Sequence, residues 1–256
     1  MEKLNKNRPS PAKEIACIAV ETALLIGAQY AISPVMGVEV VTVLLLTFSW
    51  VFGRRAGALT AVCFSLLRCM LSGFYPQVIV LYLVYYPLFA VLFGSLGRVS
   101  DESYVRLPVW AVCLVNIVLA VVCAVCVFCA ATDFIKISRL AVVLVKTLLS
   151  VVAVLSFALM AALDISVLLA RAGKIRGAGA VKTVLAAAIA AICTIFFTLL
   201  DDFIAPLFLG YGLFSESWGV YFYGSFLALA PQTVCAIVTV ALLFLPLTSI
   251  FKKVAK

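Results

Sequence analysis

Four ionisable side chains stand inside otherwise apolar stretches of this chain: Glu21, Arg68, Lys146 and Asp164. Charges so placed are expensive, and they mark solute paths, ion relays or structural pairs. Glu21 lies deep in its stretch, where it can serve a function or form a salt bridge with Arg54 or Arg55. Arg68 lies roughly 18 Å along its own stretch at 1.5 Å per residue, in the outer third. Lys146 is long enough to snorkel to the surface, whereas Asp164 is short and needs a polar partner. The two are about 27 Å apart on one helix and cannot pair directly. Asp201 and Asp202 are adjacent carboxylates without a second aspartate-rich cluster, which reads as a solvated helix end. Cys123, Cys126 and Cys129 recur every three residues, but no fourth ligand accompanies them, so small packing residues are expected and no metal.

The missing residue types narrow the chemistry further. Histidine is absent, which removes imidazole bases, histidine metal ligands and serine–histidine pairs. There is no GxxxxGK[ST] phosphate loop, so ATP hydrolysis by this chain is not expected. No enzymatic role and no cofactor is expected.

The elements that must hold these residues are membrane helices. The chain has 256 residues, 66% hydrophobic and 12% charged, with a mean hydropathy of +1.25. An ordinary soluble domain has about a quarter of its residues charged. The expected fold is all-α, one transmembrane domain over residues 1–256 with eight spans. They run near 14–32, 38–53, 56–72, 78–97, 107–131, 140–170, 183–200 and 219–250. The first is read as a span and not as a cleaved leader.

Charge placement orients the spans. With the N-terminus in the cytoplasm, Lys3, Lys6, Arg8 and Lys13 lie inside, followed by Arg54 and Arg55, then Arg98 and Arg106. Arg171, Lys174, Arg176 and Lys182 follow, then Lys252, Lys253 and Lys256, which leaves Lys136 and Arg139 in the opposite loops. This obeys the positive-inside rule with both termini cytoplasmic, and the excess of positive charge implies no nucleic acid. The nine cysteines all fall within spans, which excludes a secreted disulfide framework.

Two surfaces stand out. Ala19, Ala23, Gly27 and Ala31 recur every four residues in the first span, and Ala186/Ala190 and Ala187/Ala191 repeat the device in the seventh. Membrane helices associate through such smooth faces, within one bundle or between chains. On the exterior side, Gly73 to Gln77 leads to Tyr82, Tyr85, Tyr86 and Pro87, and the segment from Asp201 to Gly219 reads as a long loop rich in glycine and aromatics. Pro231 and Gln232 are expected to break the last span inside the bilayer. The combination fits a pocket open to the outside with aromatic walls and a few polar groups.

The stretch from Phe52 to Ala61 continuing through Leu66 to Gly73, the glycine-rich run from Tyr82 to Arg98, and Tyr221 to Lys253 resemble the substrate-binding S-components of energy-coupling factor (ECF) vitamin transporters. The resemblance covers a little over half of the chain. It implies a six-helix core, with the residues near 107–170 as an inserted helical hairpin. It also implies capture of a vitamin-like small organic solute at a bacterial plasma membrane, with uptake powered by a transmembrane coupling subunit and two ATPase subunits. Ala19, Ala23 and Gly27 would dock on the coupling subunit. The expected pocket residues are Arg68, Tyr75, Gln77, Tyr85, Trp218, Tyr221 and Gln232, with Asp202 or Glu216 meeting a polar or cationic group. Exterior acid in excess of base favours a cationic or neutral solute. Two other classes fit the residues: a stand-alone carrier relaying protons or sodium through Glu21 and Asp164, and a membrane scaffold without a solute.

Overall fold

A computed structural model describes residues 10–32, 34, 38–132, 139–174, 177–212 and 214–255. Lys3, Lys6, Arg8, Lys136, Arg176 and Lys256 lie outside the described residues. The described chain is all-α: α1 (Pro11–Ile32), α2 (Val41–Phe52), α3 (Arg54–Ser72), α4 (Pro76–Leu96), α5 (Asp101–Val105), α6 (Val109–Ala131), α7 (Arg139–Arg171), α8 (Gly179–Leu209) and α9 (Glu216–Ala255). Among the described residues seven of these helices are long and apolar enough to cross a membrane, and α2 is a shorter apolar helix. The protein is a polytopic helical bundle of about eight spans.

The chain forms two compact units. The first holds α1 to α4 together with the end of α9 from Leu242, and the second holds α5 to α8 together with α9 up to Ala241.

In the first unit α2 is shorter than the span expected at 38–53. Its 12 residues cover roughly 18 Å, against a hydrocarbon core of ~30 Å. Nearly all of it is buried, from Val41 to Trp50, so it works as a central post walled by its neighbours. Gly53, at φ 87°, ends α2 and starts α3 without a loop. α4 passes so close to that corner that a β-carbon on Gly97 would lie 2.0 Å from the Trp50 carbonyl oxygen, and one on Gly94 would lie 2.6 Å from the Arg54 nitrogen. Small residues permit this approach, the means by which membrane helices gain contact without a hydrophobic driving force. Trp50 meets Phe244 edge-on at 4.9 Å, and Phe48 and Phe52 both meet Phe251, which seats the end of α9 against α2.

In the second unit α6 and α7 lie along each other, and α7 packs on α8. Their shared core holds Cys126 with Val145, Leu149, Val152, Ile195, Phe226 and Leu229, while Cys123 and Cys129 flank it. All nine cysteines are free thiols, and Cys123, Cys126 and Cys129 of α6 serve as small apolar packing groups, as expected. The Ala186, Ala187, Ala190 and Ala191 stripe of α8 is buried. Asp164 has the polar partner its short side chain needs: Asn116 Nδ2 donates to Asp164 Oδ1 at 2.8 Å.

Candidate functional site: an acidic aromatic cleft between α8 and α9

Two expectations from sequence are corrected at this end of the second unit. The segment from Asp201 to Gly219 is not a long loop. α8 continues to Leu209 and α9 begins at Glu216, with a short link whose first residue, Gly210, is left-handed at φ 75°. Nor is α9 broken at Pro231, since the helix runs unbroken from Glu216 to Ala255. A proline removes one backbone donor, and a membrane helix tolerates that loss when neighbouring groups take up the freed carbonyl.

The lengthening of α8 changes the chemistry of the aspartate pair. Asp202 is 0% exposed and Asp201 is half-buried, so the pair is not a solvated helix end. Both carboxylates are met by hydroxyls of α9: Tyr221 donates to Asp201 Oδ2 at 2.9 Å, and Ser225 donates to Asp202 Oδ2 at 2.8 Å. Trp218 donates its indole N–H to the Asp202 backbone carbonyl at 3.0 Å. These lateral bonds replace solvation, which is why the helix can carry two acids so near its end. Asp202 Oδ1 is left buried with no hydrogen-bond partner.

A cleft of about 380 Å³ opens beside the pair, lined by Phe197, Thr198 and Asp201 from α8 and by Val220, Tyr221, Gly224, Ser225, Ala228 and Gln232 from α9. Phe197 and Tyr221 are the aromatic rings of its lining, and a separate ring cluster stands at the same end of the helices. Trp218 stacks on Phe222 with centroids 5.1 Å apart and also meets Phe203 and Phe214. Apolar walls with a few convergent polar groups are the usual make-up of a small-molecule site. The carboxylates here are bonded to neutral hydroxyls, so the site is rich in acceptors and suits a ligand that donates hydrogen bonds or carries positive charge.

The expected site residues divide between the units. Tyr221 and Gln232 line the cleft, Asp202 and Trp218 lie against it, and Glu216 is exposed in the first turn of α9. In the first unit, Arg68 is engaged by Tyr30: its Nη1 is 3.4 Å from the Tyr30 hydroxyl, and its guanidinium sits 5.4 Å from the ring centroid. The Tyr30 hydroxyl is in turn 2.9 Å from Ser72 Oγ. Tyr75 is exposed and Gln77 half-buried, whereas Tyr85 is a core ring packed on Tyr86 and Phe89. Ala19, Ala23 and Gly27 all face outward, and a β-carbon on Gly27 would meet nothing within 4 Å.

Asp201, Thr198 and Ser225 belong to the cleft although the sequence reading left them out. The signal was present in spacing. Tyr221, Ser225 and Gln232 are four and seven residues apart, the interval that puts polar groups on one helix face. A further constellation escaped notice between α5 and α8, where Lys182 Nζ is bonded to Asp101 Oδ1 at 2.5 Å and lies 5.0 Å from the Tyr104 ring centroid. Burial, with Asp101 beside it, raises the Tyr104 phenol above the ordinary tyrosine range, so the ring stays neutral under Lys182.

Comparison with known proteins yields no match: no family model, no curated protein and no solved structure matches the chain.

Proposed function

We propose that this chain is the substrate-binding S-component of an ECF-type transporter. It captures a vitamin-like organic solute, neutral or cationic, from outside a bacterial plasma membrane. Uptake is driven by a separate coupling subunit and two ATPase subunits, and the chain itself carries no catalysis. The observation that carries this reading is the contrast between the two small-residue stripes. That of α8 is consumed by packing inside the chain, while Ala19, Ala23 and Gly27 of α1 are left facing outward. A smooth face turned away from its own bundle suits docking against another membrane helix. The cleft between α8 and α9 supports the solute half of the reading, with aromatic rings for a flat apolar body and Asp201, Tyr221, Ser225 and Gln232 for its polar groups.

The test is affinity purification of the tagged chain from its native membranes. The expected result is recovery of a membrane coupling subunit and ATPases, together with a small solute identified by mass spectrometry. Ala23→Leu with Gly27→Leu should abolish recovery of the subunits and leave the solute bound, because both positions are exposed and a β-carbon on Gly27 would meet nothing within 4 Å. Wild-type protein that brings down neither subunits nor solute would defeat the proposal and favour a scaffold.

A second reading, a stand-alone ion-coupled carrier, is favoured by one observation. Glu21 is 3% exposed, and the ion pair expected with Arg54 or Arg55 is not formed, both arginines being exposed. Solute uptake by the purified chain alone in vesicles, driven by a sodium or proton gradient, would establish the carrier and overturn the S-component.

A further inference from the structure

Asp201 and Asp202 receive hydrogen bonds from Tyr221 and Ser225, but a hydroxyl cancels no charge. No basic side chain pairs with either aspartate among the described residues. Lys182, the one basic residue of α8, lies roughly 28 Å away along the helix and is bonded to Asp101 instead. A charge held in an apolar bundle needs a partner. Asp202 is fully enclosed, and a single proton suffices to neutralise it. Asp201 differs, because it lines the cleft and meets whatever enters there.

The rest of the lining sets the size and the two ends of an occupant. Tyr221, beside Asp201, and Gln232 are eleven residues apart, roughly 16 Å along α9. Between them Gly224 and Ala228, a turn apart, leave the α9 wall almost bare, and a β-carbon on Gly224 would meet nothing within 4 Å. Phe197 supplies a ring from α8. The side-chain amide of Gln232 bonds no other described residue, so its donor and its acceptor are both on offer. At about 380 Å³ the space stands at the small end of ligand sites, with room for one ring and a short chain.

From this order of acid, bare apolar strip and amide we infer that the cleft binds a small organic cation. Its ammonium group meets Asp201 beside Tyr221, its planar body lies along Gly224 and Ala228 near Phe197, and a polar group at its far end meets Gln232. The inference rests on the solute half of the S-component reading and narrows that solute from neutral or cationic to cationic. A neutral molecule in this place strips water from Asp201 and returns no charge, and an anion is repelled by it.

The test is titration calorimetry of the detergent-solubilised full chain at pH 7 with three probes of one skeleton: tyramine, a cation; tyrosol, its neutral alcohol; and phloretate, its anion. Tyramine should bind roughly tenfold or more tighter than tyrosol, the scale of a hydrogen bond to a charged group, and phloretate should not bind. Asp201→Asn keeps an acceptor for Tyr221 and should bring tyramine down to the level of tyrosol. Gly224→Leu fills the cleft from a position with open space before it, and should abolish binding of both while the unfolding temperature does not fall. Tyrosol binding as tightly as tyramine to wild-type protein would overturn the cationic class and leave solute capture standing. Tyramine that fails to bind wild type at millimolar concentration, or that binds equally after both substitutions, would overturn the site. None of these readings needs a partner subunit, so failure to recover the coupling subunit and ATPases would count against the transporter assignment alone.

Discussion

Whether a side chain in this protein is a structural or a functional group depends on which oxygens and nitrogens around it are already spoken for. Asp202 illustrates the first prediction at this scale. Its carboxylate accepts from Ser225 and its neighbour accepts from Tyr221, so Asp202→Ala is expected to destabilise the second unit by about 1–3 kcal/mol, the usual range for a lost buried partner. The unfolding midpoint reports it, and Glu216→Ala, on an exposed side chain, should leave that midpoint unchanged. Gly97→Ala provides a second. Its new methyl would collide with the Trp50 backbone at 2.0 Å, and overpacking of this kind typically costs 1–3 kcal/mol. The yield of monodisperse protein should fall, while Gly27→Ala should match wild type. Sequence alone showed that Glu21, Arg68, Lys146 and Asp164 are unusual, because intramembrane charge is rare, and it passed over the aspartate pair as a solvated helix end. It did not show their partners. Tyr30 for Arg68 and Asn116 for Asp164 come from other helices, and nothing in local spacing announces a contact between residues 38 or 48 positions apart.

Helices are where the sequence was most informative and where its errors were most systematic. Long apolar runs named every spanning helix, since crossing a bilayer imposes both length and composition. Their ends were misjudged because polar residues were taken as exits. Asp201, Asp202 and Pro206 all sit inside α8, and Pro231 lies within an unbroken α9 where a break was expected. Hydropathy treats a buried, hydrogen-bonded aspartate like a solvated one, so α8 was cut short where it becomes useful. The opposite error overextended α2, whose expected span took in residues before Val41 that are not helical. If α9 is continuous, Pro231→Ala should leave solute capture and the unfolding temperature no lower than wild type. A hinge working at that proline would instead lose capture, measured as retained solute per mole of protein.

At the scale of the molecule, the described residues hold seven helices long enough to cross a membrane and the shorter apolar α2, and with α2 counted as a crossing the chain returns to its starting side. An impermeant maleimide should therefore label Ser100→Cys and Gly212→Cys from opposite faces of sealed vesicles, with Gly212→Cys reactive from outside. Labelling of both from one side would break the charge-based orientation. The composition made the polytopic class plain, but the division into two units was not legible, because it depends on α9 contributing to both. That division has a consequence for biogenesis. The first unit is assembled from residues before 100 and after 241, so once Val99 is made its aromatic seat around Phe48, Trp50 and Phe52 still waits for Phe244 and Phe251 while roughly 140 further residues are translated. At about 5–20 residues per second the wait is on the order of 7–30 seconds. Nascent chains must spend that interval with an unfinished core held in the insertion machinery or in lipid. A premature stop near the C-terminus would therefore injure the part of the protein that was made first.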